Sequence, residues 1–184
     1  MHRILPLLAL VLLIAPGCSA RVPENTQLAA AELMADSGQL GTFSTKHSPG
    51  DDGRSTNIKL AAESINQTVV QPGEEFSFNG TIGPTTERNG YQLAMIYVNG
   101  QKDEGYGGGV CQVSSTLHNA VLEAGMEVIE RHDHSLPVAY VESGKEAATS
   151  YGVKDYRFIN QLRHPVRIEA NVTDSEVVVS IFAV

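Results

Sequence analysis

The sequence predicts an α+β fold, in which a mostly antiparallel sheet packs against two or three helices. Three observations point to this class. Apolar residues recur at helical spacing in two stretches, they alternate in several others, and the C-terminal residues form two strand-like runs around a short turn. With 184 residues, 42% of them hydrophobic, the chain is long enough for one domain with a core.

The first residues predict export. A basic residue precedes an apolar run over residues 4–14, and small residues follow, which is the layout of a secretory signal. The run is about half the length that a membrane-spanning helix needs. The stretch "APGCSA" around Cys18 resembles the site at which bacterial lipoproteins are cut and lipidated, although Pro16 is unusual there and a plain cut near Ala20 is the alternative.

These features divide the chain into three parts. We expect residues 1–17 to be a lipoprotein signal peptide, residues 18–39 a tether with a short helix in "TQLAAAELMA", and residues 40–184 the folded domain. The protein would then be exported to the bacterial cell envelope and anchored at the outer face of a membrane through lipid on Cys18.

In the first half of the domain we predict a strand in "GTFSTKH", a loop, and a helix in "TNIKLAAESIN" that Thr56 or Asn57 caps. Four apolar residues of this helix share one face. After a turn, a short strand follows in which Phe76 and Phe78 alternate with polar residues.

The second half begins with a strand in "QLAMIYV", a turn and a glycine-dense loop up to residue 109. The apolar spacing of "VSSTLHNAVLEAG" predicts a helix that ends at Gly125. A strand in "MEVIERHDHSLPVAYV" follows. The tail predicts a hairpin of "PVRIEANV" and "EVVVSIF", which we expect at one side of the sheet.

Charge excludes one class of partner. The 13 basic and 21 acidic residues are interspersed, and no basic stripe is available to neutralise phosphates, so we expect no nucleic-acid partner. The scattered acidic residues also single out no pair of carboxylates suited to glycoside hydrolysis.

Cys111 is the residue that most strongly suggests chemistry. It lies where the glycines at 107, 108 and 109 meet the start of the predicted helix, and the N–H groups and dipole of a helix start favour a thiolate. Gly107, Gly108 and Gly109 would let backbone N–H groups approach a substrate and hold an oxyanion. Two plainer readings are a tight turn for the glycines and a buried, unreactive thiol for the cysteine.

A cysteine nucleophile needs a base, and His134 or His132 could supply it, because residues two apart on a strand share a face. His118 lies roughly 10 Å further along the helix of Cys111 and is a weaker candidate. The "HDH" stretch with Glu130 could instead bind a metal, but two histidines and one carboxylate lack a third ligand at a telling spacing. We therefore predict neither a metal nor a cofactor.

Several stretches resemble the VanW domain family in order and spacing: "PGEEFSFNGTIGP", "GGGVCQVSSTLHNAVLEAG" and "ERHDHSLPVAYVESGKEAATSYGVKDYRFIN". The likeness runs from about Leu40 to the C-terminus. The family is named after glycopeptide-resistance gene clusters, and some members are understood to be L,D-transpeptidases of peptidoglycan.

The resemblance implies roles for individual residues. Cys111 would be the nucleophile and His134 the better match for the base, with His132 second. Gln112 and Ser114 belong to the same motif block and would lie at the substrate or oxyanion site, and Arg54 matches a basic position of the family. Glu146 stands where the family usually has Asp, so Glu146 and Asp155 both remain candidates to orient the base. His118 stands where the family usually has an aromatic residue.

The function expected from these residues is that of an enzyme, a cysteine acyltransferase that acts on peptidoglycan stem peptides through a thioester on Cys111. The alternative is a non-catalytic module that binds peptidoglycan or a ligand linked to glycopeptide resistance, with Cys111 merely packed. A hydrolase would differ only in whether water or an amine reaches the thioester.

Overall fold

The computed structural model describes residues 38–49, 52–98 and 100–184. The signal peptide and nearly all of the tether predicted for residues 1–39 lie outside these ranges. The strands are β1 (Gln39–Lys46), β2 (Val69–Val70), β3 (Glu75–Ser77), β4 (Leu93–Val98), β5 (Gln101–Tyr106), β6 (Glu127–Glu130), β7 (Arg157–Ile159), β8 (Val166–Val172) and β9 (Glu176–Ala183). The described helices are α1 (Asp52–Ile65), α2 (Phe78–Ile82) and α3 (Val110–Glu123).

The largest sheet has the strand order β1-β9-β8-β2, and each neighbouring pair is antiparallel. Alternate residues of β8 and β9 point into the core, as Ile168 and Ile181 do. The predicted C-terminal hairpin is confirmed, but its predicted place at one side of the sheet is wrong. β1 and β2 flank it, so the hairpin forms the centre, where both of its strands gain hydrogen-bonded neighbours.

Helices cover one face of this sheet. α3 packs on β1 and β9, and α1 packs on β8. The predicted apolar face of α1 is confirmed, because Ile58, Ala61, Ala62 and Ile65 are all buried. The predicted cap is wrong: α1 begins at Asp52, so Thr56 and Asn57 lie inside the helix. The α+β class and the predominance of antiparallel strands are confirmed within the described residues.

The segment around Phe76 and Phe78 differs from the predicted strand. β3 ends at Ser77, and Phe78 begins α2, whose first turn is capped by the Ser77 hydroxyl accepting the N–H of Gly80 at 2.9 Å. Both phenylalanines are buried, Phe76 against the ring of Phe158 at 5.1 Å between centroids. β3 belongs to a second antiparallel sheet with the order β3-β7-β6.

The third sheet has two strands, and one of them, β5, occupies part of the predicted glycine-dense loop. β5 pairs with β4 in a two-stranded antiparallel hairpin, with Leu93 opposite Tyr106. The run of three consecutive glycines begins only after Tyr106, so the residues before it, including Gly105, can form a strand. This hairpin brings the glycines to the start of α3.

The predicted strand over residues 126–141 is also shorter. β6 stops at Glu130, because its partner β7 spans only three residues. Residues 131–149 then run without helix or strand towards the start of α3. α3 ends as predicted, with Gly125 in the left-handed region at φ 68°. In the described ranges, no helix has the length and apolarity to cross a membrane.

Candidate functional site

Cys111 is the second residue of α3 and a partly exposed free thiol. Its Sγ lies 3.5 Å from both the N and the O of Thr149. As a thiol it can donate to the Thr149 carbonyl, and as a thiolate it can accept the Thr149 N–H. The N–H groups of Val110 and Gln112 are bonded within the turn, whereas none of the described residues accepts the Cys111 N–H.

The three glycines before α3 are packed against the protein itself. A side-chain carbon at Gly107 would lie 2.6 Å from Thr85, and one at Gly108 would lie 2.5 Å from the carbonyl oxygen of Met95. Gly107 and Gly109, the N-cap residue of α3, have φ values of 85° and 107°. The positions therefore demand glycine because of backbone conformation and close packing.

Asn57 holds this glycine turn in place. Its fully buried side-chain amide donates to the carbonyls of Gln92 and Gly108, each at 3.0 Å, and its Oδ1 accepts the N–H of Gln92 at 2.7 Å. The backbone N–H of Gly107 donates to the same Gln92 carbonyl, so the Gly107 N–H is not available to an oxyanion. One side chain of α1 thus ties the start of β4 to the start of α3.

A cavity of about 500 Å³ opens beside Cys111. His134 lines it together with the three glycines and Thr149. Its other walls come from α1, from α2 and Thr85, from the β4–β5 hairpin and from the segment after residue 134. At its mouth lie large apolar side chains that are at least about two-fifths exposed: Met95, Tyr106, Tyr151 and Val153.

His134 is suited to accept a proton. Burial lowers the pKa of its imidazole, the Lys154 ammonium lowers it further, and Glu146 acts in the opposite direction. The ring is therefore neutral at pH 7. It stands edge-on to the ring of Tyr97 at 5.5 Å, and its Nδ1 is buried without a hydrogen-bond partner in the described ranges.

His132 lies elsewhere, and the prediction that both histidines share a strand face is wrong because β6 ends before them. The Nε2 of His132 lies 2.9 Å from the Oε1 of Glu130, and His132 does not line the cavity. Of the two histidines, only His134 lines the cavity with Cys111.

In the described residues, His134 forms no hydrogen bond with either carboxylate proposed to orient it. The buried Glu146 accepts the N–H of Gly144 at 2.6 Å. Asp155 accepts the Ser77 hydroxyl at 2.5 Å and the backbone N–H groups of Asn79 and Tyr156 at 2.8 Å each. Asp155 therefore stabilises the start of α2.

Arg54, Gln112 and Ser114 hold neighbouring elements together. Gln112 is buried, accepts the Arg54 guanidinium at 2.7 Å and donates to Thr45 and the Lys46 carbonyl at 3.0 Å each. The buried Ser114 hydroxyl donates to the carbonyl of Ala147 at 2.6 Å. Arg54 and Gln112 still form part of the cavity wall.

Sequence reasoning missed Tyr140 and Thr149. The Tyr140 hydroxyl is buried. Burial raises the pKa of this phenol, and the nearby Cys111 raises it further, so it stays protonated. No spacing rule links a tyrosine 29 positions away to a cysteine; only the path of the chain after His134 does so.

Within the ranges described, no group of three or more His, Cys, Asp or Glu side chains could hold a metal ion. Fold and site define an α+β domain with a cavity that Cys111 lines at the start of α3. The chain belongs to the VanW family, since the model described as "VanW like protein" matches residues 53–182.

Two curated relatives place the chain further. It is 41% identical over 155 residues to the uncharacterized protein YoaR of Bacillus subtilis, covering 83% of this chain and 51% of the relative. It is 28% identical over 132 residues to the vancomycin B-type resistance protein VanW of Enterococcus faecalis, covering 69% of this chain and 48% of the relative. The chain thus spans about half the length of each. No solved structure matches it.

Proposed function

We propose that the protein is a cell-envelope cysteine acyltransferase that acts on peptidoglycan stem peptides. The observation that carries this proposal is that Cys111, at the start of α3, and a neutral His134 line the same cavity. A nucleophile and a base in one cleft are the minimum that acyl transfer requires. The substrate class is supported by membership of the VanW family and by the resistance protein among the relatives.

The reaction proceeds in two steps. The Cys111 sulfur attacks the carbonyl before the terminal D-Ala of a tetrapeptide stem, and His134 takes the thiol proton. The C–N bond breaks and D-Ala leaves as an amine carrying that proton, so a thioester remains on Cys111. An amine of a second stem then attacks the thioester, the C–S bond breaks, and the proton lost by the amine returns to the sulfur through His134.

The developing oxyanion needs hydrogen-bond donors. The Cys111 N–H is one candidate, because no described residue accepts it. The Gly107 N–H is already bonded to Gln92. The glycines therefore act mainly by shaping the turn that presents Cys111, and less through their own amides than their number predicts.

The cavity suits a peptide ligand. Its volume of about 500 Å³ lies in the range of about 300–1,000 Å³ that is usual for small-ligand sites. The exposed apolar side chains at its mouth offer contact area to the rest of a large substrate. Residues 1–17 would direct export as a signal peptide. Lipid on Cys18 would then hold the domain at the outer face of a membrane, where peptidoglycan lies.

The second candidate is a non-catalytic binding module. It is favoured by the packing of the Cys111 sulfur on the backbone of Thr149 and by the lack, in the described ranges, of a hydrogen bond from His134 to either carboxylate. In that case the same cavity would bind a stem peptide without cleaving it.

Mass spectrometry of the intact protein, incubated with a disaccharide-tetrapeptide, separates the two candidates. An acyltransferase forms an adduct on Cys111 and releases D-Ala, and Cys111→Ala does neither. His134→Gln should slow adduct formation by about a hundredfold or more, as expected for loss of a general base, while the matched His132→Gln should change it little. If the wild type binds the peptide but forms no adduct, the protein is a binding module.

A further inference from the structure

A second cleft, of about 670 Å³, lies next to the cavity of Cys111. The two share three wall residues, Arg54, Gln112 and Tyr140. The other described walls of the second cleft are Ala139 and four residues at and after the end of β1, which are Lys46, His47, Ser48 and Pro49. A ligand in either cleft therefore reaches the same partition beside Cys111.

The second cleft is basic although the chain as a whole carries a net charge of −8. Lys46, His47 and Arg54 line it, and its described lining includes no acidic side chain. Positive groups gathered in a concave site favour an anionic ligand, because the walls exclude part of the water that would screen them. Carboxylate is the anion that an arginine and a lysine commonly bind in a peptide.

His47 fixes one wall of this cleft. The residue is only 8% exposed, and its Nε2 lies 3.1 Å from the carbonyl oxygen of Thr173. Since a carbonyl only accepts, Nε2 carries the hydrogen. Nδ1 is buried and has no partner in the described ranges, although buried polar atoms are normally paired. Through Nε2, His47 holds the residues after β1 against the turn between β8 and β9.

We propose that the second cleft binds a carboxylate of the acyl acceptor, with Lys46 and Arg54 as its cationic walls. This inference rests on the proposed acyl transfer and narrows it. With its carboxylate bound in the second cleft, the acceptor extends past the shared wall residues so that its amine attacks the thioester on Cys111. The new C–N bond forms, the C–S bond breaks, and the proton from the amine returns to the sulfur. Transfer to an amine is therefore favoured over hydrolysis.

Two changes to the full chain test this cleft without altering the cavity of Cys111. Lys46→Gln removes one charge from the second cleft, and Ala139→Trp fills space in it. Both residues line the second cleft and not the cavity of Cys111. Lys59→Gln is the matched control, because Lys59 is an exposed lysine of α1 whose side chain is 68% exposed. The donor is a disaccharide-tetrapeptide, and the acceptor is a tripeptide stem with a free side-chain amine.

The readout is the amount of cross-linked product per molecule of D-Ala released. We expect this ratio to fall about tenfold in Lys46→Gln and Ala139→Trp, the size of one lost charge-assisted contact, and to stay at the wild-type value in Lys59→Gln. An unchanged ratio in both variants overturns the proposal.

A binding measurement separates this inference from the proposed function. The tripeptide stem is titrated into Cys111→Ala and into Cys111→Ala with Lys46→Gln by calorimetry. If the wild type forms no thioester but binding weakens about tenfold with Lys46→Gln, acyl transfer fails and the carboxylate site stands. If binding is equal in the two proteins, the site is refuted whatever the chemistry at Cys111.

Discussion

Replacing His118 with phenylalanine should make the fold markedly less sensitive to acid. His118 lies on α3, is only 4% exposed, and stands edge-on to the buried ring of Tyr156 at 5.3 Å. Burial and the nearby Arg131 lower the pKa of its imidazole from 6.5 to about 4. A phenyl ring keeps the ring contact and cannot take up a proton, so the variant isolates the titration.

The sign and size follow from the pKa difference. The folded state holds His118 neutral, so above pH 6.5 its titration leaves stability unchanged, and below pH 6.5 the unfolded chain binds the proton more readily. At about 1.4 kcal/mol for each pKa unit, the fall from 6.5 to about 4 removes about 3 kcal/mol from the free energy of unfolding by pH 4, and about 2 kcal/mol by pH 5.

Urea denaturation at pH 7.5 and pH 5.0 measures the effect. The wild type should lose about 2 kcal/mol more than His118→Phe over this interval. The matched control is His164→Gln, because His164 is partly exposed between β7 and β8. This variant should lose as much unfolding free energy over the interval as the wild type does. If wild type and His118→Phe lose the same stability, the buried neutral histidine is not a source of acid sensitivity and the reasoning is refuted.

Three further changes test the scaffold around the site. Gly108→Ala should cost about 1–3 kcal/mol of unfolding free energy, since the added methyl meets the backbone of β4; a thermal midpoint equal to that of the wild type would contradict the packing. Asn57→Ala should cost about 2–4 kcal/mol in urea, because it leaves buried backbone groups unpaired, whereas the exposed Asn89→Ala, which removes one hydrogen bond, should cost under about 1 kcal/mol. Asp155→Asn should lower the thermal midpoint while the folded variant still forms the adduct on Cys111; loss of the adduct without loss of stability would instead make Asp155 an orienting residue.

Elements that depend on local pattern were predictable. Ile58 and Ile65 mark the buried face of α1 at helical spacing, and β8 and β9 alternate around a short turn, so burial and backbone conformation both follow from neighbours in the chain. Helix ends were less predictable. α1 begins before Thr56 because Asn57, a good cap by type, is used inside the helix to hold the glycine turn.

The candidate site was predictable only where its residues are adjacent in sequence. Cys111 and the glycines before it could be found because they stand together. The choice between His134 and His132 could not be made from their spacing. The spacing argument assumed that both lie on a strand, whereas β6 ends at Glu130. Thr149 contacts the sulfur and Tyr140 lines the same cavity. Both lie in an irregular segment, whose residues show no periodicity from which to predict their positions.

The sequence by itself determined the α+β class, the C-terminal hairpin, the family motif and a thiol at a helix start, because each depends on residue type and spacing along a short stretch. Only the tertiary structure decided that the hairpin forms the centre of the sheet, that His134 and not His132 lies at the cavity of Cys111, and that Asp155 serves α2. These depend on which distant segments pack together. Hydrogen bonds and burial between such segments, as at Asn57, select one arrangement among many that the local pattern allows.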